Sequence, residues 1–189
     1  MKRTLGNIVL CFALIGVVPA ASTYAQLFDK GDVVVSGGLG LGATYYSLGS
    51  TSMVMPVLYV NGDYCLREDL GPGNLGVGAI IAFSSYKQEY AFYDYYYKVN
   101  TFMLGARATY HFTDLVDKLD LYGGITLGGE IVNSKWHGAG YTGNLSDPSS
   151  GVLAEFFGGA RYYFTDNIAV NGELGYGISW LKLAISFKF

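Results

Sequence analysis

From residue 33 onward, apolar side chains recur at every second position in eight separate stretches. The last is the clearest: Leu181, Leu183, Ile185, Phe187 and Phe189 fall on one side, and Lys182, Ala184, Ser186 and Lys188 on the other. A period of two is the signature of a β-strand with unlike faces. The same alternation predicts strands over 33–45, 55–66, 75–85, 99–112, 119–131, 152–164 and 168–176. Turn chemistry separates them, as in Glu68-Asp69-Leu70-Gly71-Pro72-Gly73, where acids, glycines and a proline crowd together. Pro56 fits only near a strand end or a bulge.

The charges decide which face is which. In this alternation one face of all eight strands carries none. The other carries Asp63, Arg107, Asp120, Glu130, Glu155, Arg161, Glu173, Lys182 and Lys188. A soluble barrel would reverse this, with apolar residues inside and charges outside. A charge facing lipid at mid-bilayer costs ~2–4 kcal/mol, so an uncharged apolar face belongs against lipid and the charged face inside. The prediction is an all-β chain folded as an eight-stranded antiparallel up-and-down transmembrane β-barrel. Tyr64, Tyr110, Phe112, Tyr162, Phe164, Phe187 and Phe189 gather beside the short turns or the C-terminus, as an interfacial girdle does. The long connections, 86–98 and 133–150, stand at the other end. Short turns in the periplasm and long loops outside match outer-membrane topology and put both termini in the periplasm. The link around 177–179 is the exception, an outer hairpin without a long loop.

The N-terminus supplies the route. Lys2 and Arg3 precede an uncharged apolar run over 8–18, then Pro19 and small residues up to Ala25. This is the pattern of a secretory signal peptide over 1–25, cut after Ala25 or, second, after Ala21. Cys11 lies inside the apolar run and is no lipid anchor, so the mature chain keeps a single cysteine, Cys65, and can form no internal disulfide. Cutting 25 of 189 residues leaves 164, or about 20 for each strand and its connection. No remaining apolar run approaches the ~20 residues of a membrane helix. Composition agrees with a barrel in lipid: 17 Tyr, 11 Phe and 27 Gly, with only 14% charged residues. Losing Lys2 and Arg3 leaves 10 basic against 15 acidic residues, which counts against a nucleic-acid partner.

Two strand ends echo each other. Gly105-Ala106-Arg107 leads to Phe112-Thr113-Asp114, and Gly159-Ala160-Arg161 leads to Phe164-Thr165-Asp166. With the export signal and the closing Leu-Lys-Leu-Ala-Ile-Ser-Phe-Lys-Phe, these residues give the chain its resemblance. It resembles the small eight-stranded outer-membrane barrels of the OmpX and OmpA-barrel type, the porin-family outer-membrane β-barrel domain. The resemblance implies residence in the bacterial outer membrane among its lipids, as a monomer and without a cofactor. It also implies that Leu181, Leu183, Ile185, Phe187 and Phe189 form the C-terminal signal read by the assembly machinery.

Chemistry is sparse. Gly38-Leu39-Gly40-Leu41-Gly42-Ala43 imitates a dinucleotide fingerprint, but the strand period runs straight through it and no helix begins after it. The glycines instead leave room inside a narrow barrel. His111 and His137 are the only histidines, neither stands near a serine at catalytic spacing, and with one thiol they make no metal site. An outer-membrane lipid-modifying enzyme is therefore the third reading. The first is a structural or surface-interaction barrel whose inner charges pair and fill the lumen. The second is a narrow porin-like channel for small solutes or ions. The 86–98 connection is the candidate contact surface for an extracellular protein or glycan, with Tyr90, Phe92, Tyr93, Tyr95 and Tyr96 as aromatic anchors. The bland alternative is that the flanking strands extend above the membrane and carry some of these tyrosines.

Overall fold

The computed structural model describes residues 27–42, 51–89, 95–138 and 147–189. The expected signal peptide, residues 43–45 of the first strand, and Tyr90, Phe92 and Tyr93 lie outside the described residues. Eight strands form: β1 (Val33–Leu41), β2 (Thr51–Arg67), β3 (Asn74–Glu89), β4 (Tyr95–Val116), β5 (Leu119–Gly138), β6 (Asp147–Tyr163), β7 (Ile168–Tyr176) and β8 (Leu181–Lys188). Each pairs antiparallel with the next, and β1 pairs with β8, so the sheet closes into a barrel and leaves no edge. Closure sets Val34 opposite Lys188 and Leu41 opposite Leu181.

The alternation resolves as the charges require. Asn61, Asp63 and Cys65 of β2 are buried, while Leu58, Val60 and Tyr64 between and beside them are exposed. In β4, Thr101, Met103, Arg107, Thr109 and His111 are buried, and Phe102, Leu104 and Phe112 face out. The outward girdle residues pair edge to face: Tyr110 with Phe112 at 5.0 Å and Tyr162 with Phe164 at 5.4 Å between ring centroids. Tyr110 also donates its hydroxyl to the Leu70 carbonyl at 2.6 Å, tying the girdle to the β2–β3 turn.

The wall is uneven in height. β1, β7 and β8 have 9, 9 and 8 residues, close to the ~9–11 that cross a bilayer, whereas β3, β4 and β5 have 16, 22 and 20. The 86–98 connection is therefore mostly strand. β3 runs to Glu89 and β4 begins at Tyr95, with Glu89 opposite Tyr96. Likewise β5 continues to Gly138 and β6 starts at Asp147. For 86–98 this is the alternative that the sequence had left open; for β5 and β6 the extension was not legible, because a strand above the membrane loses the apolar half of its pattern but keeps its ladder hydrogen bonds.

On the short side, β7 turns directly into β8 through 177–180. Gly42 takes φ +69° at the end of β1, beside the Trp180 ring, and its carbonyl accepts the Trp180 N–H at 2.8 Å. Gly38 illustrates the crowding between β1 and β8: a Cβ there would lie 2.0 Å from the Leu183 carbonyl oxygen. The glycine run thus serves close backbone approach.

Candidate functional site

The interior is built in layers. At its centre, β2, β4, β5, β6, β7 and β8 each deliver at least one charged side chain to a single buried network. Arg107 Nε lies 3.2 Å from Asp63 Oδ1, and its Nη2 lies 2.9 Å from Glu173 Oε1. Arg161 reaches Asp120 Oδ2 at 3.1 Å and Asp63 Oδ2 at 3.6 Å. Lys182 Nζ stands 2.7 Å from both Glu155 Oε1 and Glu173 Oε2. All these side chains are fully buried. Isolated, each charge would be very costly in such a place, and the network is tenable because every carboxylate here meets a cation.

Neutral groups complete the shell. Tyr122 donates its hydroxyl to Glu173 Oε1 at 2.9 Å and accepts from Asn171 Nδ2 at 3.1 Å. Thr126 donates to Glu155 Oε2 at 3.1 Å. Cations also lie over rings: the Arg107 guanidinium is 4.3 Å from the Phe157 centroid, and Arg161 is 5.0 Å from that of Tyr122.

Beside this layer lies an apolar one made by Val57, Tyr59, Ile80, Ala82, Met103, Leu153, Ile178 and Ala184, all buried. Ile178 comes from the β7–β8 turn, folded inward. Ile80, Met103 and Tyr59 were assignable to the inner face by parity. Their gathering into one layer was not, because alternation says which side a residue faces and nothing of its depth.

A third layer closes the mouth at the short-turn end that carries the termini, and sequence reasoning missed it. Residues 27–32 have no strand period, yet Leu27 packs with Tyr163 and Ala169, and Phe28 with Val34 and Cys65. The Phe28 carbonyl accepts from Asn74 Nδ2 at 2.6 Å. Backbone bonds from Gly31 N to the Cys65 carbonyl, 3.1 Å, and from Cys65 N to the Asp32 carbonyl, 2.9 Å, tie the segment to β2. The Lys30 N–H is also bonded to the Glu68 carboxylate. The signal for this layer was an apolar pair, Leu27-Phe28, just before a polar turn.

His111 sits between the mouth and the central network. Its ring stacks on Phe28 at 3.9 Å and on Tyr122 at 5.0 Å. Nδ1 lies 2.9 Å from Asp120 Oδ1, and Nε2 lies 3.0 Å from Thr109 Oγ1. Hydroxyl, imidazole and carboxylate stand in the order of a hydrolytic triad, a relation that a search for serine spacing could not find. The surroundings leave a substrate no space: Thr109, His111 and Asp120 are all buried, and even a Cβ at Gly76 would lie 2.3 Å from Thr109 Oγ1. Among the described residues no cluster of histidine, cysteine, aspartate and glutamate is arranged to hold a metal ion.

Two of the nine inner charges stand apart from the network. Glu130 faces inward but lies further along β5, half-buried, and makes no ion pair among the described residues. Lys188 lies at the mouth, 3.6 Å from Asp32 and 5.5 Å from the Tyr163 ring centroid. Of the aromatic anchors, Tyr95 and Tyr96 belong to the backbone ladder of β4. The closing strand sets Leu183, Ile185, Phe187 and Phe189 outward, all exposed, with Leu181 half-buried on the same face.

No family model matches the chain, and no curated protein matches it in sequence. Solved structures do match in fold. The N-terminal β-barrel domain of Pseudomonas aeruginosa OprF superposes with TM-score 0.53 at 15% identity, over 85% of this chain and 98% of that one. Ail, the attachment invasion locus protein of Yersinia pestis, superposes with TM-score 0.51 at 15% identity, over 85% of this chain and all of Ail. Its complex with the heparin analogue sucrose octasulfate gives 0.53 at 13% identity. The chain shares the fold of small eight-stranded outer-membrane barrels.

Proposed function

We propose that the protein is an integral bacterial outer-membrane barrel with a closed lumen, serving a structural or cell-surface interaction role. The carrying observation is the pairing of Asp63, Arg107, Asp120, Glu155, Arg161, Glu173 and Lys182 across the barrel. A barrel of eight strands has an interior just wide enough for side chains to fill, and these fill it. A conducting lumen needs mobile charges beside water; here each is held by a fixed partner and flanked by apolar layers. The Thr109–His111–Asp120 arrangement belongs to this filling and performs no chemistry. Single-channel recording in a planar bilayer tests the reading. We expect a quiet membrane, and stable openings of reproducible size would overturn it.

The signal peptide and the outward face of β8 support export and insertion, with the assembly machinery reading Leu181, Leu183, Ile185, Phe187 and Phe189. Sequencing the exported protein should find Gln26 first. The surface role is assigned to the outer end of β3 and β4, with Tyr90, Phe92, Tyr93, Tyr95 and Tyr96 meeting a protein or glycan. That Ail, which shares the fold, was solved in complex with a heparin analogue supports a glycan as the partner. Deleting residues 91–95 should abolish adhesion to cells or glycans, and unchanged adhesion would refute the assignment.

A further inference from the structure

At the end of the barrel away from the termini, the inner wall changes character beyond the apolar layer. Ala82, Met103, Glu130 and Gly151 form one cross-strand row of inward positions from β3 to β6. Ser84, Thr101, Val132 and Ser149 form the next. On the β3–β4 side Ser84 is 0% and Thr101 2% exposed. On the β6 side Gly151 and Ser149 are exposed, because the ladder between β6 and β7 stops at Phe156 and Tyr176. The two rows thus run from a buried flank to an open one.

Three polar groups here lack a partner among the described residues. Glu130 is half-buried and makes no ion pair. The hydroxyls of Ser84 and Thr101 stand directly opposite each other and make no hydrogen bond. A buried hydroxyl without a partner is costly, and so is a carboxylate drawn from water without a cation. The Glu130 carboxylate lies against Gly151, where a Cβ would stand 2.9 Å from Oε1, so the glycine makes its place. No inward base accompanies it. Arg107, Arg161 and Lys182 are held in the central network by other carboxylates. Beyond the apolar layer the sequence offers only Lys87, Lys98 and Lys135. Each stands four residues from Phe83, Phe102 or Ile131, and so at an outward position. Residues 43–54, 88–97 and 136–147 contain neither lysine nor arginine.

We infer that this inner wall binds a short aliphatic amine from outside the barrel. Its ammonium meets Glu130, and a second hydrogen-bonding group, a few methylenes away, meets the Ser84–Thr101 pair. An ammonium brings a charge and three donors and no acceptor, so carboxylate and hydroxyl oxygens both suit it. Thr101 and Glu130 are diagonal neighbours on paired strands, ~7–8 Å apart, a span that one ammonium does not cover and a diamine does. Met103 and Val132, their cross-strand partners, supply an apolar floor for the methylenes. Calcium is the rival occupant, but it takes ~6–8 oxygen ligands, and the wall brings a single carboxylate to these rows. The site lies beyond the apolar layer and stands whether or not the lumen conducts.

The test uses the full mature chain folded in a non-ionic detergent and titrated calorimetrically with 1,4-diaminobutane. The wild type should bind it saturably at one site, and n-butylamine roughly fivefold more weakly, at one neutral hydrogen bond fewer. Glu130→Gln keeps the shape and should keep the folded, heat-shifted gel band, since Glu130 has no partner to lose. It should weaken diamine binding about tenfold or more, the loss of a charge-assisted contact. Ser84→Ala/Thr101→Val should leave butylamine binding unchanged and erase the diamine's advantage. Tetramethylammonium, a cation without donors, should not compete. Equal affinity of the wild type and Glu130→Gln for the diamine would overturn the proposal. So would tetramethylammonium competing as well as the diamine, or calcium displacing it at equal concentration. Absence of saturable binding by the wild type would overturn it too, and would leave these groups to water.

Discussion

The short wall of the barrel, β7–β8–β1, and the tall wall, β3–β4–β5, are built from the same alternation and use it differently. Short-wall strands of 8 or 9 residues barely span the membrane, and their inward side chains are committed to the lumen: Glu173 and Lys182 to the ion network, Ala184 and the turn residue Ile178 to the apolar layer. Tall-wall strands contribute Arg107, His111, Tyr122 and Thr126 over their membrane-spanning part, then continue outward as paired strand. The short wall is where removal of one group strands others in a medium without water. The upper tall wall is where residues can change at little cost to folding, which suits a surface that must meet variable partners.

Breaking the short wall should give the largest effect. Glu173→Ala leaves Arg107 without its second carboxylate, Lys182 with only Glu155, and the Tyr122 hydroxyl without an acceptor. We expect a loss of ~3–5 kcal/mol, read from urea unfolding in micelles by tryptophan fluorescence, because a buried uncompensated charge remains. A loss below ~1 kcal/mol would mean that water enters the lumen and replaces the carboxylate. Ile178→Ala should cost ~2–4 kcal/mol by the same measurement, through lost apolar contact and the cavity left in the layer.

The mouth sharpens the comparison, since its segment is held at one end of the barrel. Phe28→Ala removes the ring that covers His111 and packs with Val34 and Cys65. Cys65 is a free thiol, fully buried. Lowering the local closing energy by ~1.4 kcal/mol should raise its labelling by a water-soluble maleimide about tenfold, with global unfolding little changed. An unchanged labelling rate would show that residues 27–32 are not the cover. The smallest effect belongs to the upper tall wall. Lys87 and Lys98 stand directly opposite, so residues 88–97 can be replaced by an Asn-Gly turn that closes the hairpin there. Stability should change by less than ~1 kcal/mol, since none of the residues described in the three lumen layers belongs to it. Failure to fold would show that the projecting strand is needed for barrel assembly.

Strand number and the facing of side chains were legible in the residues, because hydrocarbon outside and a packed polar interior sort side chains by parity alone. The inner positions Asp63, Arg107, Asp120, Glu155, Arg161, Glu173 and Lys182 were readable for that reason. Who meets whom was not. Asp63 joins Arg107 and Arg161 across strands far apart in the chain, and Lys182 bridges Glu155 and Glu173, contacts set by register and barrel closure. The same holds for Thr109, His111 and Asp120, whose alignment follows from a cross-strand neighbour and carries no spacing signature.

The sequence by itself determined the class of fold, the lipid-facing surface and the candidate export signal, since each depends on local period or composition. Only the tertiary structure decided the depth of each inner residue, the height of the outer strands and the sealing of the mouth by residues 27–32. It also set which charges meet: Lys182 lies between Glu155 and Glu173 because hydrogen-bonded register and closure bring β6, β7 and β8 together. A one-residue slip would turn such a side chain outward, so the property belongs to the pairing and not to any single stretch of chain.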